Sequence, residues 1–258
     1  DLPWEPDSLC GSIMTDGIGA VTCGVLEILP VDSRYTFGMM NLDVDIPAGR
    51  VDITSSVQMY HHPSWKVDSI GNVFGVTVDS KGNTYTAASA NYPSGYFVSP
   101  AIIRYGDIGG GADDINAAGT IYKIDAITGQ ASVFSVLPQQ ISSFIQGGCE
   151  INEMIPRNTG PGLGNLTFSN ATKNFYVTNF EDGRIYRLNE NGDVMESYDP
   201  FMLDDGIAGC AALEEITFGI DVDPMGTTLY FGAAGVTDSN TGLPTNPGIY
   251  SIALNADG

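Results

Sequence analysis

The sequence is poor in the residues that many enzyme sites and nucleic-acid-binding surfaces require. Its 258 residues include two histidines, His61 and His62, and only 10 Lys and Arg against 31 Asp and Glu, which gives a formal net charge of −21 at pH 7. Such a surface repels nucleic acid and anionic lipid, so we exclude both as partners. Two histidines are too few for a zinc site with several His ligands. No apolar run approaches the roughly 18 residues of a membrane-spanning helix, so we expect no membrane span.

The two histidines are adjacent, and neighbouring side chains of a strand point to opposite faces of the sheet. At most one of them could therefore enter a shared catalytic site. No Gly-x-Ser-x-Gly motif surrounds any serine. We interpret the pair as structural, at a strand end flanked by Pro63 and Trp65.

The four cysteines are widely spaced and include no Cys-x-x-Cys pair; they are Cys10, Cys23, Cys149 and Cys210. An even count at wide spacing favours two disulfides over a metal cluster, with three pairings open; the alternative is four free thiols in a cytosolic protein. Candidate glycosylation sequons begin at Asn165 and Asn170. Together with the low lysine content they favour an oxidising, external location, so we expect a secreted or cell-surface protein.

A β-hairpin pattern occurs three times, over residues 74–87, 164–178 and 218–231. Each stretch alternates apolar and small residues, breaks at a polar turn and resumes with a strand that carries aromatic residues. Both the period of two and the turn chemistry are typical of hairpins. The 32 glycines and 14 prolines suit a chain of many short strands.

A second element follows each hairpin, at residues 119–124, 183–188 and 248–252, and its tyrosine recurs every 64 residues as Tyr122, Tyr186 and Tyr250. Two hairpins per unit predict the four-stranded antiparallel blade of a β-propeller, an all-β fold. The alternative is a β-sandwich with coincidental hairpins, which does not require this recurrence. We predict one propeller domain over residues 1–258, with a divergent part over 1–70 and blades starting near residues 74, 164 and 218.

The chain holds about four such units, and it ends on the turn that should lead into the outermost strand of a blade. We therefore expect the last blade to be truncated at residue 258. We also expect this chain to form part of a ring that has about six blades when complete. Sheet edges and blade faces of an open ring would meet water. The remaining blades would come from the same or another polypeptide.

The run from Tyr176 to Leu188, Tyr-Val-Thr-Asn-Phe-Glu-Asp-Gly-Arg-Ile-Tyr-Arg-Leu, resembles NHL-type repeats and the related gluconolactonase-like and TolB-like propellers. In these repeats a strand ends in a small polar residue, a short acidic loop follows, and an Arg-Ile pair opens the next strand. The resemblance covers roughly residues 70–258. It implies a propeller of the kind found in secreted and cell-surface proteins, and it implies architecture more than activity.

Gluconolactonase-like enzymes hold a divalent metal with side-chain oxygens at one mouth of the channel. If the resemblance extends that far, the ligands here would be Glu150, Asn165 and Glu214, and calcium would suit such oxygens. However, the positions equivalent to Asn165 are Gly75 and Gly219, which carry no ligand and which we interpret as points of close backbone approach. The acidic turns at residues 79–83 and 189–193 lack a full calcium-loop frame, so we interpret them as Asx-capped turns.

The insertion at residues 88–118 is the stretch with the strongest signature of a contact surface. Tyr92, Tyr96, Phe97 and Tyr105 combine apolar rings with polar tips, and long loops with aromatic residues are common at contact surfaces. The alternative is that the rings only fold the insertion onto its own blade.

The sequence therefore predicts a module that binds or assembles without catalysis, for adhesion or structure. Its partners would be other protein chains of a surface assembly or a carbohydrate, with calcium as an added stabiliser. The rival is a metal-dependent hydrolase of the lactonase type.

Overall fold

The computed structural model describes most of the repeated region and shorter parts of the remainder, namely residues 18–22, 35–41, 59–89, 106–111, 115–139, 151–152, 155–156, 162–200, 217–233, 248–256 and 258. The four cysteines, Glu150, Glu214 and the four aromatic residues of the insertion lie outside the described residues. The predictions made for them stay predictions.

The regular secondary structure of the described residues consists mainly of short β-strands. These are β1 (Ile18–Thr22), β2 (Phe37–Asn41), β3 (Met59–Tyr60), β4 (Val73–Val78), β5 (Thr84–Ala88), β6 (Thr120–Ile124), β7 (Ala131–Val136), β8 (Ile151–Asn152), β9 (Ile155–Pro156), β10 (Leu163–Phe168), β11 (Phe175–Asn179), β12 (Ile185–Leu188), β13 (Val194–Tyr198), β14 (Thr217–Val222), β15 (Thr228–Ala233) and β16 (Gly248–Ala253). Helical structure in the described ranges is limited to a one-turn α-helix, Val67–Ile70, and to 3₁₀ segments at Pro63–Trp65, Asp107–Gly109 and Ile115–Gly119. None of these helices is long and apolar enough to cross a membrane.

The strands pair with their sequence neighbours in antiparallel order. This gives a first sheet β1-β2-β3, a second sheet β4-β5-β6-β7, a third sheet β10-β11-β12-β13, a fourth sheet β14-β15-β16, and a separate hairpin β8-β9. The second and third sheets have the four-stranded meander that the tyrosine spacing predicts.

The leading strands of the four sheets contact one another in chain order, β1 with β4, β4 with β10, and β10 with β14. Sheets joined in this way through their first strands are arranged as the blades of a β-propeller around a common axis. The predicted class, a propeller of four-stranded antiparallel blades, is confirmed. The number of blades in a complete ring stays a prediction.

Three of the four leading strands carry a β-bulge near their start, between Phe74 and Val76 in β4, Leu163 and Leu166 in β10, and Thr217 and Ile220 in β14. A bulge bends its strand and increases the local twist. Its recurrence shows that the three hairpins are equivalent in structure as well as in sequence pattern.

Apolar layers fill the space between consecutive sheets. Between the second and third sheets, the buried cluster includes Tyr85, Ile121, Leu166, Phe175 and Leu188. Full burial of one such side chain contributes about 1.5–3 kcal/mol. The layer between the third and fourth sheets is built from Tyr176, Ile185, Ile220, Leu229, Phe231 and Ala233.

In the second, third and fourth sheets, a glycine in the turn after the third strand contacts a preceding part of the molecule. The carbonyl of Gly129 accepts a 2.7 Å hydrogen bond from the Trp65 indole, and the carbonyl of Gly192 accepts one of 2.6 Å from the Ser135 hydroxyl. The carbonyl of Gly258 accepts one from Arg187. All three glycines have positive φ, which other residues adopt at a cost. We refer to these three contacts as the glycine latches.

The histidine pair is structural, as the sequence predicts. The His61 ring stacks on Tyr35 with centroids 4.4 Å apart, and its Nδ1 lies 3.1 Å from the Phe37 carbonyl oxygen. The Nδ1 of His62 is 2.8 Å from the Ser64 hydroxyl, and burial lowers the pKa of His62.

Candidate functional site

The fourth sheet presents one face to solvent, and we call it the open face. The open face is formed by Asp221 on β14, Tyr230 and Gly232 on β15, and Ile249 and Ser251 on β16. Tyr230 is 44% exposed and Ile249 is 83% exposed. Large apolar side chains at that exposure in neighbouring positions mark a contact surface more often than scattered single residues do.

The equivalent faces of the second and third sheets are buried. The residue equivalent to Ile249 is Ile121 in the second sheet and Ile185 in the third. In each sheet this isoleucine lies on the third strand and pairs with the residue two positions after the tyrosine of the second strand. Ile121 is 0% exposed and Ile185 is 3% exposed. The tyrosines of these faces, Tyr85 and Tyr176, are both 2% exposed. The difference arises because a following sheet covers each of these two faces.

A cavity of about 550 Å³ adjoins the open face near the leading strands. Its lining comes from the bulge regions of β4, β10 and β14, with Asn165 and Thr167 as polar groups, and from Tyr230 and Ile249 of the open face. A space of that size is within the range of small-molecule pockets. The cavity and the open face form one continuous surface.

The carboxylate of Asp221 lies where the cavity meets the open face. Its Oδ1 accepts a 3.0 Å hydrogen bond from the Thr167 hydroxyl and a 2.9 Å bond from the Val222 N–H. The first of these bonds joins the third sheet to the fourth. Because Asp221 is exposed, its carboxylate places negative charge at the edge of an apolar surface.

Asn165 lies at the β10 bulge, and its side-chain oxygen is already engaged. The Oδ1 accepts a 2.9 Å hydrogen bond from the Leu166 N–H, and the Asn165 N–H donates to the Thr178 hydroxyl at 3.1 Å. Gly75 of β4 packs against this residue with φ of 74°. A Cβ at Gly75 would lie 2.7 Å from the Asn165 Oδ1, so only glycine fits there.

The close backbone approach that the sequence predicts at two glycines occurs at one of them. At Gly219 a Cβ would meet nothing within 4 Å, so the prediction for Gly219 is wrong. The reason is that Gly75 faces the third sheet, whereas Gly219 lies beside the open face, which no described sheet covers.

The described part of the chain does not assemble a metal site around Asn165. No group of three or more His, Cys, Asp or Glu side chains in the described residues could hold a metal ion. Asn165 is the one predicted ligand of the three that the described residues include, and its Oδ1 is engaged by a backbone N–H. The two glycines at equivalent positions offer no side-chain oxygen.

The two candidate glycosylation sites have different surroundings. Asn165 is half-buried within β10, and the threonine of its sequon, Thr167, is buried and donates to Asp221. Asn170 is exposed on the turn between β10 and β11. Enzymatic glycosylation acts on accessible surface segments, which favours Asn170 as the acceptor.

The acidic turns at residues 79–83 and 189–193 are held by their own side chains. Asp79 Oδ1 accepts from the N–H groups of Lys81 and Asn83 at 2.8 and 2.9 Å, and Asn189 Oδ1 accepts from those of Asn191 and Asp193 at 2.9 and 3.0 Å. The predicted Asx-capped turns are therefore present. Burial raises the pKa of Asp79, but hydrogen bonds from Asn83, Lys81 and Tyr85 outweigh burial and hold it below its usual range.

The open face was not among the predictions made from the sequence. Tyr230 and Ile249 have the same pattern as their buried equivalents, so the residues themselves carry no signal of exposure. Whether such a face is covered depends on what packs against it. Aligning the three repeats would have identified the position, but not its exposure.

Comparisons with known proteins give remote structural likeness only. No model of a protein family and no curated protein matches the chain. The solved structures that it resembles include a nidogen–laminin complex (TM-score 0.45, 11% identity, covering 94% of this chain and 59% of that one). They also include the calcium-binding protein regucalcin from Agrobacterium tumefaciens (TM-score 0.37, 12% identity, covering 80% of this chain and 48% of that one). A third is a protein assigned as a 6-phosphogluconolactonase from Bacteroides uniformis (TM-score 0.38, 11% identity, covering 86% of this chain and 49% of that one).

The chain spans about half the length of these structures, or somewhat more. Neither a binding partner nor an activity of this chain can be inferred from structural likeness at this level. The propeller architecture rests instead on the sheet order and on the contacts between leading strands.

Proposed function

We propose that this chain is a non-catalytic binding and assembly module of a secreted or cell-surface protein. The observation that carries the proposal is the open face, where Tyr230 and Ile249 are exposed although their equivalents in two other sheets are buried. An apolar face of this kind is stabilised when a further sheet or a partner chain, from the same or another polypeptide, covers it. Protein chains of a surface assembly are therefore the first candidate partners, and carbohydrate is the second.

The charge of the chain narrows the class of partner. At a net charge of −21, acidic partners are repelled at long range, so a neutral or basic surface associates faster. The aromatic insertion, with Tyr92, Tyr96, Phe97 and Tyr105, would add a second contact region. Blades from the same or another polypeptide would complete the ring.

An external location accounts for several sequence features together. Cys10, Cys23, Cys149 and Cys210 would form two disulfides in an oxidising compartment. Asn170 would be available for glycosylation on an exposed turn. Calcium held by acidic loops would add rigidity to the scaffold without taking part in chemistry.

The lactonase alternative is less well supported by the geometry at the bulges. A metal-dependent hydrolase needs several side-chain oxygens that converge on one ion with an open position for water. At the three equivalent bulge positions the chain has Gly75, Asn165 and Gly219, and the Asn165 oxygen is bound to its own strand. We therefore do not propose hydrolysis as the function.

Site-specific photo-cross-linking in the cells that make the protein tests the proposal. A photoreactive phenylalanine derivative at position 249 should cross-link to a discrete partner polypeptide. The same group at Ile127, which is 62% exposed in the β6–β7 turn, is the matched control and should not. Equal labelling from both positions would contradict the proposal. So would metal-dependent turnover of a lactone or ester that Asn165→Ala abolishes.

A further inference from the structure

The turn between β12 and β13 carries a reactive dipeptide. Asn191 is the only asparagine in the sequence that precedes a glycine. The side-chain amide of an asparagine is chemically labile, because the nitrogen of the next peptide bond can attack it. A following glycine places no Cβ in the path of that attack. The Asn191–Gly192 dipeptide is therefore the position of this chain most disposed to deamidate.

The surroundings of Asn191 leave its side chain available for reaction. Asn191 is exposed, and none of the described residues bonds to its side-chain amide. The other asparagine of the turn, Asn189, is held in place instead. Its Nδ2 donates to the Asp193 Oδ2 at 2.9 Å, and its Oδ1 accepts from two backbone N–H groups. Of the two asparagines in this turn, only Asn191 therefore combines a free amide with an unhindered peptide nitrogen beside it.

The attacking nitrogen is restrained while the turn is closed. The Gly192 N–H donates to the Asn189 carbonyl at 3.0 Å, and the Gly192 carbonyl accepts the 2.6 Å latch bond from the Ser135 hydroxyl. Both bonds must loosen before the nitrogen can lose its proton and approach the side chain of Asn191. The reaction therefore proceeds from the locally opened turn, at a rate set by the population of that state.

We propose that Asn191 is a site of spontaneous deamidation to isoaspartate, and that this product abolishes the glycine latch between the second and third sheets. The Gly192 nitrogen loses its proton to water and bonds to the Asn191 Cγ, and the Cγ–Nδ2 bond breaks to release ammonia. Water then opens the resulting succinimide ring at either carbonyl, which gives aspartate or isoaspartate. One water is consumed and one ammonia is released, so the reaction needs no cofactor and no oxidant.

Of the two products, only isoaspartate changes the length of the backbone. Its main chain runs through the former side chain and gains one carbon, which lengthens the step to Gly192 by roughly 1 Å. The turn has no room for this, since a Cβ on Gly192 would already lie 2.3 Å from the Phe134 carbonyl oxygen. A shift of that size also takes the Gly192 carbonyl out of hydrogen-bond range of the Ser135 hydroxyl.

Peptide mapping of the full 258-residue chain, incubated at pH 8, tests whether the reaction occurs. Mass spectrometry should detect the replacement of the amide by a carboxyl group at Asn191, and electron-transfer fragmentation should identify isoaspartate. Asn170 is the matched control, because it is exposed on a turn but precedes alanine, and it should react about tenfold more slowly. Asn191→Gln should show no conversion over the same time.

Two serine variants of β7 test whether the latch controls the rate. Ser135→Ala removes the latch donor and should speed the conversion of Asn191 about fivefold, which is the effect of one net hydrogen bond on the opening of the turn. Ser132→Ala truncates an exposed serine of the same strand and should leave the rate unchanged. Circular dichroism of both variants checks the fold.

Hydrogen exchange tests the consequence for the turn. In the isoaspartate product the amides of Asn189 and Asp193, which bond across the turn, should exchange about tenfold faster than in the parent. A freshly prepared Asn191→Asp variant carries the same charge without the extra backbone carbon, so its amides should exchange as in the parent.

Four results would each overturn the inference. Conversion at Asn191 that is no faster than at Asn170 would reject the site, and an unchanged rate in a folded Ser135→Ala variant would reject control by the latch. Parent-like exchange in the isoaspartate product, or equally fast exchange in the Asn191→Asp variant, would reject the loss of the latch through backbone extension. None of these results bears on the open face, which photo-cross-linking tests separately.

Discussion

The covered face of the third sheet and the open face of the fourth sheet have nearly the same residue pattern and opposite surroundings. Tyr176 and Ile185 are buried under the fourth sheet, whereas Tyr230 and Ile249 are exposed at the same positions of the next repeat. Both faces pair an aromatic ring with an isoleucine across two strands. Burial in this fold is thus decided by the neighbouring sheet and not by the strand itself.

The largest difference should appear when the two equivalent isoleucines are truncated. Ile185→Ala leaves a cavity between the third and fourth sheets and should lower the free energy of unfolding by about 3 kcal/mol. Ile249→Ala removes exposed atoms and should change it by less than about 0.5 kcal/mol. Urea unfolding of the two variants measures the gap, with Ile127→Ala as a second exposed control. Equal losses at positions 185 and 249 would mean that the open face is covered in solution.

Two glycines with different surroundings, Gly192 and Gly219, should give the next largest difference. Gly192 has φ of 88°, and a Cβ there would lie 2.3 Å from the Phe134 carbonyl oxygen, so Gly192→Ala should cost about 2 kcal/mol. Gly219 has space for a Cβ, and Gly219→Ala should change stability by less than about 0.5 kcal/mol. Thermal unfolding of both variants, followed by circular dichroism, compares them. A neutral Gly192→Ala variant would contradict the latch geometry.

A smaller effect is expected at the hydrogen bond that joins the third and fourth sheets. Thr167→Val removes the hydroxyl that donates to Asp221 and should cost about 1 kcal/mol. Thr77 holds the equivalent position on β4, and Thr77→Val is the control, expected to cost less. A double-mutant cycle with Asp221→Ala isolates the pair. A coupling energy near zero would show that this bond does not hold the fourth sheet in place.

The smallest effect should be the pH dependence that Asp79 contributes. The pKa of Asp79 is lower in the folded chain than in the unfolded chain. Its contribution to the free energy of unfolding is therefore present above the unfolded pKa of about 4, and it is lost as the pH falls through the folded pKa. Asp79→Asn should therefore be less stable than the parent at pH 7, by less than about 1 kcal/mol, and the gap should close in acid. Urea unfolding at pH 7 and pH 3 measures this. A gap that widens in acid would contradict the direction of the pKa shift.

The repeat was predictable from the sequence because each unit repeats a hairpin with a polar turn, followed by a second element whose tyrosine recurs every 64 residues. The tyrosines at 122, 186 and 250 identified four-stranded sheets, and the structure has two of them complete. The Asx turns at Asp79 and Asn189 were predictable for a local reason, because the capping side chain bonds to the backbone of its own turn.

The open face and the difference between Gly75 and Gly219 were not predictable. Both depend on which sheet lies next to a strand, and that information is spread over residues far apart in the chain. Asn165 could be identified as a polar residue at a bulge, but not as one whose oxygen is bound by the following N–H. The latch at Gly192 was missed because its partner, Ser135, is 57 residues away and shows no pattern of its own.

The glycine latches impose an order on biosynthesis. The second and third sheets each donate a hydrogen bond to a carbonyl in a turn of the next sheet, so each of them lacks this contact until about one further repeat has been translated. At typical rates of roughly 5–20 residues per second, a repeat of 64 residues takes several seconds. During that interval the newest sheet is exposed to chaperones, proteases and other nascent chains, and the growing propeller is always most vulnerable at its youngest end.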